Sequence, residues 1–150
     1  MRVSGTIIPG YGVASGKGRD PRYPEGTLKL QNPFFKERGL DLEDYYLGTL
    51  NIDIAPFRYE IGKPTYFFEA VDWSEHIAPE NFYFFKVLLI FEGVGHQGLI
   101  YMPGPETKMD HEQIPTVLEV IAPPLENMHT GQTVYLEIDQ ECLKIIEGER

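Results

Sequence analysis

Two stretches of this 150-residue chain combine residue types and spacings that can do chemistry. The first is Gly48-Thr49-Leu50-Asn51. Side chains alternate along an extended segment, so the Thr49 hydroxyl and the Asn51 amide oxygen share one side and can converge on a hard cation. Mg2+ prefers oxygen and often takes only a few ligands from protein, with phosphates and water completing its shell. Neutral donors suffice where a polyphosphate brings the charge. Thr and Asn on such a face can equally meet solvent or hydrogen-bond a turn. The second stretch is Gly10-Tyr11-Gly12-Val13-Ala14-Ser15-Gly16-Lys17-Gly18-Arg19. Glycines bare the backbone N–H groups and admit positive φ, so such a loop can surround phosphate oxygens, and Lys17, Arg19 and Arg22 add positive charge. Glycine-rich turns between strands are also ordinary structure. The spacing is neither a P-loop nor a dinucleotide fingerprint.

A third candidate is Glu119 in Leu118-Glu119-Val120-Ile121-Ala122-Pro123. Apolar neighbours imply a partly buried carboxylate, and such a group needs a partner, either a ligand's hydroxyl or ring N–H or backbone donors. The four histidines, His76, His96, His111 and His129, show no metal-ligand spacing. Ser15 lacks a nucleophile-elbow context. Phe67, Phe68, Phe82, Tyr83, Phe84 and Phe85 suit either a flat aromatic ligand's pocket or a core.

The elements that must position these residues read as mainly β. Strands are expected over Arg2–Ile8, 12–15, 49–54, Tyr66–Val71, 82–92, 98–102 and Thr133–Ile138, from alternation and β-branched or aromatic content. In 49–54 the pattern Thr-Leu-Asn-Ile-Asp-Ile sets Leu50, Ile52 and Ile54 against a polar ledge of Thr49, Asn51 and Asp53. One short helix has local punctuation: Asn32 as cap, Pro33 at the first position and Gly39 at the end. Residues 117–122 suit a strand or a brief helix before Pro123-Pro124 stops either. Residues 61–81, with Trp73 and several acids, read as a hairpin with a surface excursion that could also serve as an interaction surface. Cys142, Leu143, Ile145 and Ile146 can pack back from the tail.

The length fits one domain, 1–150, with a sizeable core. The single Cys142 forms no internal bridge and suits a reducing compartment, so a cytoplasmic setting is expected. The longest apolar run contains Lys86 and is too short for a bilayer, so no membrane role is expected. A formal charge of −10 argues against a broad grip on nucleic acid, though a local basic loop can still hold a small anion.

In order along the chain, the blocks Gly12-Val13-Ala14-Ser15-Gly16-Lys17-Gly18, Gly48-Thr49-Leu50-Asn51, Gly98-Leu99-Ile100-Tyr101-Met102-Pro103, Leu118-Glu119-Val120-Ile121-Ala122-Pro123 and Gly131-Gln132-Thr133-Val134-Tyr135-Leu136 resemble the archaeal CTP-dependent riboflavin kinases. The resemblance implies a single-domain, six-stranded cradle-loop barrel that moves the γ-phosphate of CTP, or of another nucleoside triphosphate, to riboflavin to give FMN. It implies that Thr49 and Asn51 hold Mg2+, and that Gly16, Lys17, Gly18, Arg19 and Asp20 wrap the nucleotide phosphates. Pro124, Leu125, Glu126 and Asn127 would meet the cytidine end, and Thr107 and Glu119 the flavin. The 103–119 spacing exceeds the family's, which makes Thr116 a rival to Thr107. The family's Gly-x-Gly-Glu-Gly type run is replaced here by Gly18-Arg19-Asp20-Pro21-Arg22, and Glu126 stands where the family commonly has a basic residue. A relative that binds a nucleotide, flavin or other small ligand without turnover is the alternative.

Overall fold

The computed structural model describes residues 1–9, 27–104, 116–126 and 128–147. Within them the chain is mainly β, with nine strands and one helix: β1 (Arg2–Ile8), α1 (Thr27–Glu37), β2 (Leu50–Asp53), β3 (Phe57–Ile61), β4 (Tyr66–Val71), β5 (Glu80–Phe91), β6 (Val94–Pro103), β7 (Val117–Ile121), β8 (Thr133–Ile138) and β9 (Leu143–Glu147). Seven strands form one antiparallel sheet in the order β4-β5-β6-β7-β2-β1-β8, and a further β5–β8 pairing closes six of them into a ring. Closure removes the exposed edges that invite mispairing, except at β4, which lies beside β5. β3 and β9 pair separately as a two-stranded ribbon.

Alternation along the strands fills two cores. Phe85, Val87, Leu89 and Phe91 of β5 join Ile52, Ile100, Leu118, Val120, Val134 and Leu136 inside the ring. Phe82 and Phe84 point the other way, into a second core with Leu99, Tyr101 and Ile121. That outer core is roofed by Leu28 and Phe35 of α1, by Leu40 and Leu42, and by Phe68, Val71 and Trp73. Phe35 meets Phe82 and Phe84 edge to face, with ring centroids 4.9 and 5.1 Å away. Each fully buried Phe contributes about 1.5–3 kcal/mol, so this roof holds α1 firmly on the sheet.

The helix begins six residues earlier than the expected first position at Pro33. Thr27, Leu28, Gln31 and Phe35 are its buried residues, and burying that stripe outweighs the local cap signal. Pro33 sits inside the helix, where it brings no N–H of its own to the ladder, and its ring is exposed. Asn32 is not a cap; its Oδ1 accepts a bond from the Leu42 N–H at 2.8 Å. Gly39 does close the helix, with φ of 100° and the paired bonds Gly39 N to Lys36 O and Leu40 N to Phe35 O.

Other boundaries move as well. β5 and β6 form a long hairpin whose two-residue turn is Glu92-Gly93, both at positive φ. Residues 117–122 resolve as strand β7 over Val117–Ile121. Residues 61–81 include β4, paired with β5, but Trp73 is buried and its Nε1 donates to Glu80 Oε1 at 3.3 Å. Trp73 therefore serves the outer core, while Asp72, Glu75, His76, Ala78 and Pro79 around it are exposed between β4 and β5. The tail packs back, with Leu143 and Ile145 buried in the inner core. The strand expected over 12–15 falls outside the described residues.

Candidate functional site

Strand register brings two of the candidate residues together directly. Ile8 lies opposite Asn51, Asn51 opposite Glu119, and Glu119 opposite Tyr101, so one row crosses four strands on the outer face of the ring. Residues opposed in a ladder share a face, so Asn51 and Glu119 are neighbours. Thr49, just before β2, reaches the same spot: its Oγ1 donates to Glu119 Oε1 at 3.2 Å. Thr49, Asn51 and Glu119 are all half-buried, accessible yet shielded from full hydration. Asp53, the third member of the expected ledge, turns its carboxylate to the backbone; Oδ1 accepts the Ala55 N–H at 2.9 Å.

The row continues into a buried polar pair that the sequence reading missed. The Tyr101 hydroxyl donates to Gln31 Oε1 of α1 at 2.7 Å, with both residues buried. Burial and then the negative charge of Glu119 hold the Tyr101 phenol well above its usual range. Tyr59 is raised for the same two reasons, burial first. The missed signal was Gln31 itself, a polar residue at helical spacing between Leu28 and Phe35. It becomes visible only once the helix is begun at Thr27.

One rim of the ring gathers the ends that matter. In antiparallel neighbours, β1 ends, β2 begins, β7 ends and β8 begins at this rim. The glycine-rich segment follows β1 in sequence, so the chain leaves the sheet next to Asn51. Ile7 N donates to Gln132 O at 2.9 Å and Gly131 N to Ile7 O at 2.7 Å, tying the end of β1 to the turn before β8. Pro124 and Glu126 are exposed after β7, while Leu125 packs against the inner core. Gly16, Lys17, Gly18, Arg19, Asp20, Thr107 and Asn127 lie outside the described residues.

Thr116, the rival on the flavin side, stands differently. Gly104 and Thr116, which bracket Thr107 in sequence, are anchored at the opposite rim, where Gly104 N donates to Asn81 O at 2.7 Å and Ile54 N to Thr116 O at 2.8 Å. Thr116 is about 10 Å along β7 from Glu119, at roughly 3.3 Å per strand residue. The structure thus brings Glu119 to Thr49 and Asn51 but not Thr116.

Beside the outer core an open cleft of about 650 Å³ is lined by Asp41, Asp44, Tyr45, Tyr66, His96 and Pro123, among others. Asp41 is committed locally: the Glu43 N–H holds its carboxyl below the usual range against the opposing effect of desolvation, with Asn32 and Lys36 adding smaller pulls in the same direction as Glu43. Among the described residues no group of three or more His, Cys, Asp or Glu side chains is arranged to hold a metal. Among them, too, no helix is long and apolar enough to cross a membrane. No family model matches this chain, and no curated protein matches it.

Proposed function

We propose that the chain is a Mg2+-assisted phosphotransferase similar to the CTP-dependent riboflavin kinases, its six-stranded ring serving as a cradle-loop barrel. The observation that carries this reading is the convergence of Thr49, Asn51 and Glu119 on one face, with Thr49 Oγ1 3.2 Å from Glu119 Oε1. The rim position, next to the strand end from which the glycine-rich segment departs, supports it further.

The donor set suits a hard cation. Thr49 Oγ1 and the Asn51 amide oxygen would hold Mg2+, which would neutralise charge on the transferring phosphates. In the transfer, the ribityl 5′-hydroxyl oxygen of riboflavin would bond to the γ-phosphorus as the bond from that phosphorus to the β–γ bridging oxygen breaks, the electron pair leaving on CDP and the hydroxyl proton passing to solvent, to give FMN and CDP. Phosphoryl transfer rests on positioning and electrostatics, so no protein nucleophile is needed. By the resemblance, Gly16, Lys17, Gly18, Arg19 and Asp20 wrap the phosphates, with Lys17 or Arg19 offsetting developing charge. Glu119, with Thr107, contacts the flavin, and Pro124, Leu125, Glu126 and Asn127 meet the base.

A fluorescence-detected chromatographic assay of the purified chain with riboflavin, Mg2+ and each of the four nucleoside triphosphates tests this. FMN should appear with at least one donor. Because Glu126 is an exposed carboxylate on the segment assigned to the nucleotide, a binding-only protein is the competing reading. Stabilisation by nucleotide or flavin without FMN would establish that reading instead.

A further inference from the structure

Resting on that reading of the site, we infer that Glu119 is a positioning residue for Thr49: its carboxylate takes the hydroxyl hydrogen so that the Oγ1 lone pairs face the cation. A threonine hydroxyl has one donor and two acceptor lone pairs, and its hydrogen rotates freely unless something claims it. Left to rotate, that hydrogen points at the metal in part of the population and must be turned away on binding. Here the Oγ1 to Oε1 bond of 3.2 Å claims it beforehand.

Two observations make Glu119 suited to this. It is held from both sides, by Asn51 on β2 and Tyr101 on β6, in the middle of β7, so its backbone is fixed by the ring. Its acceptor is a carboxylate oxygen, which when ionised only accepts, so the hydrogen in the bond is the threonine's. Outer partners of this kind orient a ligand, and their loss typically costs 10–100-fold in metal affinity.

The test is Mg2+ titration of the thermal stabilisation that CTP gives the protein, a readout independent of turnover. Glu119→Met should raise the Mg2+ concentration for half-maximal stabilisation at least about tenfold. Glu119→Gln, which keeps an accepting oxygen, should recover most of that loss. In a Thr49→Val background, Glu119→Met should add little, because the bond is already gone. Glu119→Leu, which also removes the acceptor while leaving the Thr49 hydroxyl in place, carries the same test if Glu119→Met fails to fold. An unchanged Mg2+ midpoint in Glu119→Met, or losses that simply add, would overturn the inference while leaving the kinase reading standing. No Mg2+-dependent stabilisation of the unmodified protein by CTP or by any of the other three nucleoside triphosphates would overturn both.

Discussion

Removing the Tyr101 hydroxyl tests how the site is anchored to the helix. Tyr101 is 5% exposed and Gln31 2% exposed, and their bond is 2.7 Å long. Tyr101→Phe deletes the donor and leaves the Gln31 oxygen buried without it. A buried polar group stripped of its partner costs about 1–3 kcal/mol, more than the net worth of the bond. For a domain of this size 1 kcal/mol moves the melting temperature by about 2–4 °C, so the variant should melt about 2–12 °C lower. Gln31→Met, close in volume, strands the phenol instead and should cost a similar amount. The double variant replaces both partners by apolar groups of matching shape, and such a replacement is nearly neutral. It should therefore recover most of the loss. Urea denaturation with an unchanged slope reports the free energies, and the three variants with the parent form a double-mutant cycle. A double variant as unstable as the sum of the singles would refute the reasoning, as would a Tyr101→Phe protein indistinguishable from the parent.

Four further outcomes follow from other parts of the molecule. A Cβ on Gly98 would stand 2.7 Å from the Ile121 carbonyl oxygen, so Gly98→Ala must push β6 off β7 and should cost about 1–3 kcal/mol in chemical denaturation. Glu92 sits at φ 50° in the β5–β6 turn, and Glu92→Asn should stabilise by a few tenths to about 1 kcal/mol, seen as a higher urea midpoint. Because the folded Tyr101 phenol ionises well above the unfolded value of about 10, stability should be intact below pH 10 and fall above it, by about 1.4 kcal/mol per pH unit for that group; alkaline denaturation of Tyr101→Phe should show a shallower decline. Asn51→Ala should abolish Mg2+-dependent FMN formation while circular dichroism shows an intact sheet, because the strand's inward residues Ile52 and Ile54 are untouched.

The parts of the fold legible in the sequence are those fixed by local chemistry. Alternation in 49–54 gives the inward Ile52 and Ile54 and the outward Asn51, and Gly39 ends α1 at a positive φ that a side chain would strain. The start of α1 was illegible because Asn32-Pro33 imitates a helix start, while the stripe of Thr27, Leu28, Gln31 and Phe35 is rewarded only by a sheet far away in sequence. Glu92-Gly93 lacks the usual Asn-Gly turn signature, so the hairpin was hidden between two expected strands. β3, where Phe57, Tyr59 and Ile61 alternate with Arg58 and Glu60, carries a strand pattern that went unread, and its partner β9 lies more than 80 positions away.

The candidate site was half legible for a related reason. Thr49 and Asn51 share a face by local periodicity alone. That Glu119 stands opposite Asn51 depends on the β2–β7 register, set by ring closure between strands widely separated along the chain. The Thr49–Glu119 bond follows from that register and from nothing nearer in sequence.

The most direct test of the account is to follow FMN formation from riboflavin by the purified chain with Mg2+ and each nucleoside triphosphate in turn. The account predicts FMN and the matching nucleoside diphosphate in equal amounts, lost when Mg2+ is chelated. No FMN from any donor under those conditions would contradict it.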